Sequence, residues 1–243
     1  MLITKEMKLA DVVHHDHMLI PVINRFGIHL GFGDKTIEAV CKEKQVNIGF
    51  FITIINAFHD SQYFPKQHLQ SFPASMLVDY LLKTHQYYIE DKIPEIEGLI
   101  RKMTVNAKSN EASYLLAQNF FTEYKNELTA HVEREEKRVY PYAITLEEAI
   151  KTGLVSDALL QQMNAYSITE YEAEHENVEE KLFDLKNIII KYLPAPSNDQ
   201  LSFHILDELF MFEKDLNEHA RIENMILIPK VEAMEFELKN RGQ

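Results

Sequence analysis

Two short stretches of this chain set a histidine and a glutamate four residues apart: His131 with Glu135, and His219 with Glu223. On an α-helix that spacing brings both side chains to one face, one turn apart. Each pair continues an apolar stripe, with Ala117, Phe120, Tyr124 and Leu128 leading to His131, and Ile205, Phe212 and Leu216 leading to His219. Two more histidines hold equivalent positions. His85 lies among Val78, Leu81, Ile89, Ile96 and Leu99, and His175 among Ile168, Tyr171, Val178, Leu182 and Ile189. A single histidine on such a stripe is ordinarily a core residue with a hydrogen-bond partner. Depth argues for more: in an antiparallel hairpin, residues equally far from the turn are level. The midpoint of 85 and 131 is Lys108 and that of 175 and 219 is Ser197, each inside a helix-breaking stretch.

Helices two and four of an up-down bundle run in the same direction, so both glutamates lie on the same side of their histidines and face one interior layer. Two buried carboxylates without partners are costly and tend to take up protons. Metal cations remove that cost. Four neutral imidazoles and two carboxylates suffice for two ions, with two histidines on each and Glu135 and Glu223 bridging. A solvent-derived bridge would leave one octahedral position open on each metal. Imidazole with carboxylate suits iron and equally manganese or zinc. The competing account is a metal-free bundle with scattered polar core residues, which must explain the four level histidines and the two matched pairs separately. Asp215, one turn before His219, is expected to orient it, and Glu179 is a further ligand candidate within a mainly solvated face. His204 sits about four turns from His219, too far to join. His14, His15, His17, His29, His59 and His68 fall in the first part of the chain, where the HHDH run reads as a solvated helix start rather than a surface metal site.

The elements that must carry these residues are four amphipathic segments, about 76–103, 112–140, 157–192 and 199–240, separated by the breakers TVNAKSNE and LPAPSND. The fold class is therefore all-α, an antiparallel four-helix bundle over 76–243. Residues 1–62 read as a small domain of short helices. It has an apolar pattern interrupted at Pro21, a glycine-rich loop, a helix over 36–44 capped by Asp34 or Thr36, and an apolar run at 48–58 taken as helix. Residues 63–75, with Pro65 and Pro73, read as a linker. The chain has 243 residues and net charge −13, yet residues 1–70 carry seven charges of each sign, so the excess belongs to the bundle. That balance disfavours nucleic acid as a partner. A single cysteine, Cys41, excludes a disulfide framework and any cysteine-rich zinc or iron–sulfur site within one chain. No secretory segment is evident and 48–58 is too short to span a bilayer, so the expectation is a cytoplasmic protein without a membrane partner.

The segments His131-Val-Glu-Arg-Glu135-Glu136-Lys-Arg-Val-Tyr-Pro141 and His219-Ala-Arg-Ile-Glu223-Asn-Met-Ile-Leu-Ile-Pro229 resemble the two His-x-x-x-Glu motifs of hemerythrin-like proteins, each closed by a proline. The single histidines His85 and His175, and the stretch ADVVHHDHMLIPVINRFGIHLGFGDKTIEAVCKEKQVN, are similar to the repair-of-iron-centres family, which acts on iron–sulfur clusters. The resemblance covers essentially the whole chain. It implies two oxo- or hydroxo-bridged iron ions held by His85, His131, Glu135, His175, His219 and Glu223, with no cofactor beyond them. It implies NO or O2 as small ligands, iron–sulfur proteins as partners, and a stress response to oxidative or nitrosative damage. Donation of iron and reduction of NO are both open, as is a non-catalytic sensor or storage role, because no nucleophile or dedicated acid or base is evident beyond the metal centre. One departure stands out. Family members carry adjacent cysteines after Phe-Gly-Ile, where this chain has Gly31 and Phe32. The N-terminal region is then as well suited to packing, or to forming a homodimer, as to thiol chemistry.

Overall fold

The computed structural model describes residues 1–105, 111–165, 168, 178–193 and 199–241, and among them the chain is all-α. The N-terminal region forms α1 (Leu9–His15), α2 (Leu19–Asn24), α3 (Ile37–Glu43), α4 (Ile48–His59) and α5 (Lys66–Ser71). Thr36 caps α3 by accepting from the Ala39 N–H at 3.3 Å. Asn47 caps α4 by accepting from Phe50 N–H at 2.9 Å. The run at 48–58 is a helix because it is buried nearly all round, from Phe50 and Phe51 through Phe58. The break expected at Pro21 lies instead at Asp16–Met18, since Asp16 ends α1 and its side chain accepts from the Met18 N–H. Pro21 sits in the first turn of α2, where no intrahelical N–H is needed. The stretch read as a linker carries α5, whose Leu69 is buried in the core.

Three long helical rods are described in full. The first runs through α6 (Ala74–Gln86), a π-helical turn (Tyr87–Lys92) and α7 (Ile93–Val105). The second runs through α8 (Glu111–Arg134), a π turn (Glu135–Val139) and α9 (Tyr140–Thr152). The last runs through α12 (Asp199–Ile222), a π turn (Glu223–Leu227) and α13 (Ile228–Arg241). Between them lie α10 (Asp157–Ala165) and α11 (Val178–Asn187), the latter continued by a π turn (Ile188–Tyr192). The first rod is ~48 Å long at about 1.5 Å per residue. Helices α7, α8, α11 and α12 pack in a closed ring, each against the next, which is the bundle the sequence predicts.

The second rod does not stop near residue 140 but continues to Thr152, where Gly153 closes it at φ 71°. Pro141 is tolerated because a π turn precedes it. The same relation recurs: π turns end at Lys92, Val139, Tyr192 and Leu227, and prolines stand at 94, 141, 194 and 229, two residues on. A proline inside a helix lacks an N–H and presses on the carbonyl four residues back. At Pro94, Pro141 and Pro229 one widened turn relieves that clash without ending the rod, whereas the helix before Pro194 ends at its Leu193 cap.

Two apolar clusters divide the interior. One joins the N-terminal helices to the near half of the bundle, through Leu77 and Leu81, Val139 to Ala149, and Ile222 to Leu238. The other fills the far half, through Tyr88 to Met103, Tyr114 to Val132, Leu182 to Ile189, and Ile205 to Leu216. On each fully described rod the predicted ligands fall at the seam between the clusters. Tertiary caps tie the near half together: the Glu147 carboxylate of α9 accepts from the Ala74 and Ser75 N–H groups at 2.9 and 3.2 Å, closing the start of α6. Helix α5 packs against the π turn that begins at Glu223.

Candidate metal centre

Five of the six residues singled out by spacing meet in this seam: His85 from α6, His131 from α8, His219 from α12, and Glu135 and Glu223 at the starts of their π turns. His175 lies outside the described residues, as does the side chain of Glu179. Glu135 and Glu223 are 0% exposed, which decides that their charges must be met inside the protein. The π turns have a direct use here. Widening the helix at the glutamate shifts the side chains that follow relative to the histidine one turn earlier, a common device at functional sites.

Donor atoms crowd one point. His85 Nε2 lies 3.1 Å from His219 Nε2, 3.2 Å from Glu135 Oε2 and 3.2 Å from the Tyr140 hydroxyl. His131 Nε2 lies 2.9 Å from Glu135 Oε1, and His219 Nε2 lies 3.5 Å from Glu223 Oε2. One ring nitrogen carries at most one proton, so three polar neighbours around His85 Nε2 cannot all be satisfied by hydrogen bonds. Both oxygens of Glu223 are buried without a hydrogen-bond partner. A multivalent cation among these atoms would satisfy the whole set, and nitrogen with carboxylate oxygen is a donor set suited to iron, manganese or zinc. The residues therefore fit a metal. His85, Glu135 and His219 already present one donor each within a single coordination sphere's reach, 4.8 Å of one another.

Electrostatics agree. Burial opposes ionisation of Glu135, yet its hydrogen bonds with His131 and His85 win and hold it well below the usual carboxylate range. Burial likewise opposes protonation of His131, but Glu135, with Glu223 beyond it, raises its pKa.

Several supporting residues were not legible in the sequence. Glu136 Oε1 lies 3.2 Å from His85 Nδ1, where it can accept the proton of that nitrogen and leave the Nε2 lone pair for a metal. Glu136 is hidden in the charged run EREEKR and has no spacing signal of its own. Tyr140 stacks on His85 with centroids 5.4 Å apart and planes 21° apart. Asp215 does not hold His219 as expected: its carboxylate is taken by the Arg25 guanidinium and by the Tyr88 hydroxyl at 2.9 Å. A full guanidinium charge outcompetes an imidazole N–H for that acceptor. His204 lies 3.5 Å from Glu208 near Glu95, where Lys92 already supplies the cation to both carboxylates. In the HHDH run, Asp16 accepts from His59 at 2.7 Å while His14, His15 and His17 are exposed. Cys41 is fully buried, and burial pushes its thiol up to about 11, which suppresses the thiolate at neutral pH.

No helix among the described residues is long and apolar enough to cross a membrane. A profile of the hemerythrin HHE cation binding domain matches residues 76–231. The iron–sulfur cluster repair protein ScdA of Staphylococcus haemolyticus (strain JCSC1435) is 20% identical over 232 residues, spanning 94% of this chain and 99% of that protein. The layer of histidines and glutamates thus sits within the matched segment, and the chain belongs to the hemerythrin HHE cation-binding family.

Proposed function

We propose that this protein binds two iron ions between its bundle helices and serves in the repair of iron–sulfur clusters damaged by oxidants or NO. In this reading His85, His131, His175 and His219 are terminal ligands and Glu135 and Glu223 bridge. The observation that carries it is the buried, polar-saturated seam, above all a fully buried Glu223 with neither oxygen hydrogen-bonded. The match to a cluster repair protein along nearly the full length of both chains supports the physiological role. Such an iron pair supplies open positions for NO or O2 and a store of iron that can be handed on.

The protein's own residues determine how readily that happens. Glu136 fixes the tautomer of His85. Tyr140 places a hydroxyl 3.2 Å from His85 Nε2, where it can donate to an oxygen or nitrogen atom bound in the seam. Apolar clusters flank the seam on either side. A second reading, a reversible binder of O2, NO or iron that reports to a partner, is favoured by one observation: Cys41 is buried and Gly31 and Phe32 replace a thiol pair, so the described residues offer no thiolate for exchange.

The test is iron content, followed by rescue of a nitrosylated or peroxide-damaged iron–sulfur enzyme. Two irons per chain with recovery of the target enzyme is the expected result. Iron binding without recovery, with stoichiometric and reversible uptake of NO, selects the second reading. A chain that takes up no iron on anaerobic reconstitution would refute both.

A further inference from the structure

Arg25, at the end of α2, sends its side chain out of the N-terminal region and into the bundle, where it is 3% exposed. It enters between the rods that carry His85 and His219. One terminal nitrogen donates to the Tyr80 hydroxyl at 3.3 Å, and the other pairs with Asp215, four residues before His219. Its guanidinium carbon lies 4.9 Å from the ring centre of Tyr87 and 5.8 Å from that of Tyr88. Burial alone would lower the pKa of the guanidinium, but Asp215, with Tyr80 and Tyr88, more than offsets this and raises it, so the charge is secure. The second Asp215 oxygen accepts from the Tyr88 hydroxyl, and the Tyr88 ring meets His219 edge-on with centroids 5.8 Å apart.

The two candidate ligands joined by the 3.1 Å contact are held differently. His85 has Glu136 on its Nδ1 and Tyr140 stacked on its face. His219 Nδ1 is buried with no hydrogen-bond partner, so its ring is fixed by packing, chiefly against Tyr88 and His85. Tyr88 is itself fixed by the hydroxyl bond to Asp215, and Asp215 by Arg25.

We infer that Arg25 is a positioning residue of the metal centre: through Asp215 and Tyr88 the N-terminal region sets the orientation of the His219 imidazole and so the affinity and ligand field of the metal it binds. This rests on the ligand assignment proposed above. It gives the N-terminal region of this chain a role that needs no thiol.

The experiment uses the full-length chain with Co(II) as probe. Tyr88→Phe removes only the hydroxyl, Arg25→Lys keeps the charge but loses the fork and the stacking, and the double variant tests their coupling. Co(II) dissociation constants are measured by chelator competition, together with the visible Co(II) absorption bands and the thermal midpoint without metal. Each single variant is expected to weaken Co(II) binding about 10-fold and to shift the bands. The double variant should be no weaker than the worse single one, because both act through one array. Lower midpoints with wild-type affinity and bands would overturn the inference and leave the array purely structural. If Arg25→Lys does not fold, Tyr88→Phe decides alone. A wild-type chain that binds neither Co(II) nor iron would overturn the ligand assignment and this inference with it.

Discussion

The two His-x-x-x-Glu pairs have the same spacing, start a π turn at the same place and precede a proline by the same distance, yet their surroundings differ. Glu135 is held by His131 at 2.9 Å and approached by His85 at 3.2 Å. Among the described residues Glu223 has only the 3.5 Å approach of His219, and both its oxygens lack hydrogen bonds. One carboxylate is therefore compensated by imidazoles, while the other has no hydrogen-bonded partner among the described residues. In the proposed reading identical motifs thus divide the work of holding the site together: the Glu135 half is preformed, and the Glu223 half depends on the ion.

The largest expected effect removes what the halves share. Glu135→Met and Glu223→Met should each abolish the absorption and magnetic signature of a coupled iron pair while far-ultraviolet circular dichroism stays helical. A coupled signature in either variant would break the bridging assignment. Next comes the metal-free protein, where the two substitutions should act with opposite sign. Glu135→Met leaves two imidazoles without their partner and should cost about 3 kcal/mol in denaturant unfolding. Glu223→Met removes a buried carboxylate that lacks hydrogen bonds and should stabilise by about 1 kcal/mol. Equal signs would show that the asymmetry of the seam has no energetic weight.

Proton linkage sharpens the same contrast. The Glu135 pKa is lowered on folding, so its contribution is present above the ordinary carboxylate pKa and is lost as pH falls through the depressed folded value. The His131 pKa is raised, so its contribution is complete below about 6.5 and is lost as pH rises through the elevated folded value. The metal-free protein should therefore be most stable in mildly acidic solution, between these two limits. Glu135→Met removes both arms and should flatten the profile; an unchanged profile would show that the pair does not titrate as one.

The five candidate ligands that meet in the seam were legible because spacing encodes them: a separation of four fixes a shared face, and equal distance from a turn fixes depth; His175 lies outside the described residues. Residues that tune the chemistry were not. Glu136 looks like any solvated charge, and Tyr140 like any core aromatic. Arg25 lies 190 residues from Asp215, with no pattern linking them. Rod length was misread for a related reason. Pro141 announces a helix end by local rules, and only the widened turn before it, stabilised by tertiary packing, lets the helix go on to Thr152. The helices up to α4 were visible through their caps and apolar runs, whereas α5 fell in the stretch read as a linker. Their merging with the near half of the bundle into one cluster depends on long-range packing that no sequence period records.

The smallest effect concerns how the halves are supported from outside. Glu136 meets His85 Nδ1 at 3.2 Å, but its side chain is 38% exposed, so solvent screens the interaction. Glu136→Gln keeps an oxygen that can accept from the imidazole and removes only the charge. The imidazole should keep its tautomer and lose part of its basicity, weakening metal binding by about 10-fold or less, the low end for outer partners of ligating histidines. Glu136→Leu removes the acceptor as well and should weaken binding further, with a shift in the metal spectrum, because Nε2 is then free to take the proton and lose its inward lone pair. If both variants bind metal as the wild type does, Tyr140 stacking alone fixes His85. The two halves would then be alike in relying on an aromatic ring, Tyr140 for His85 and Tyr88 for His219, and would differ only in the carboxylates that bridge them.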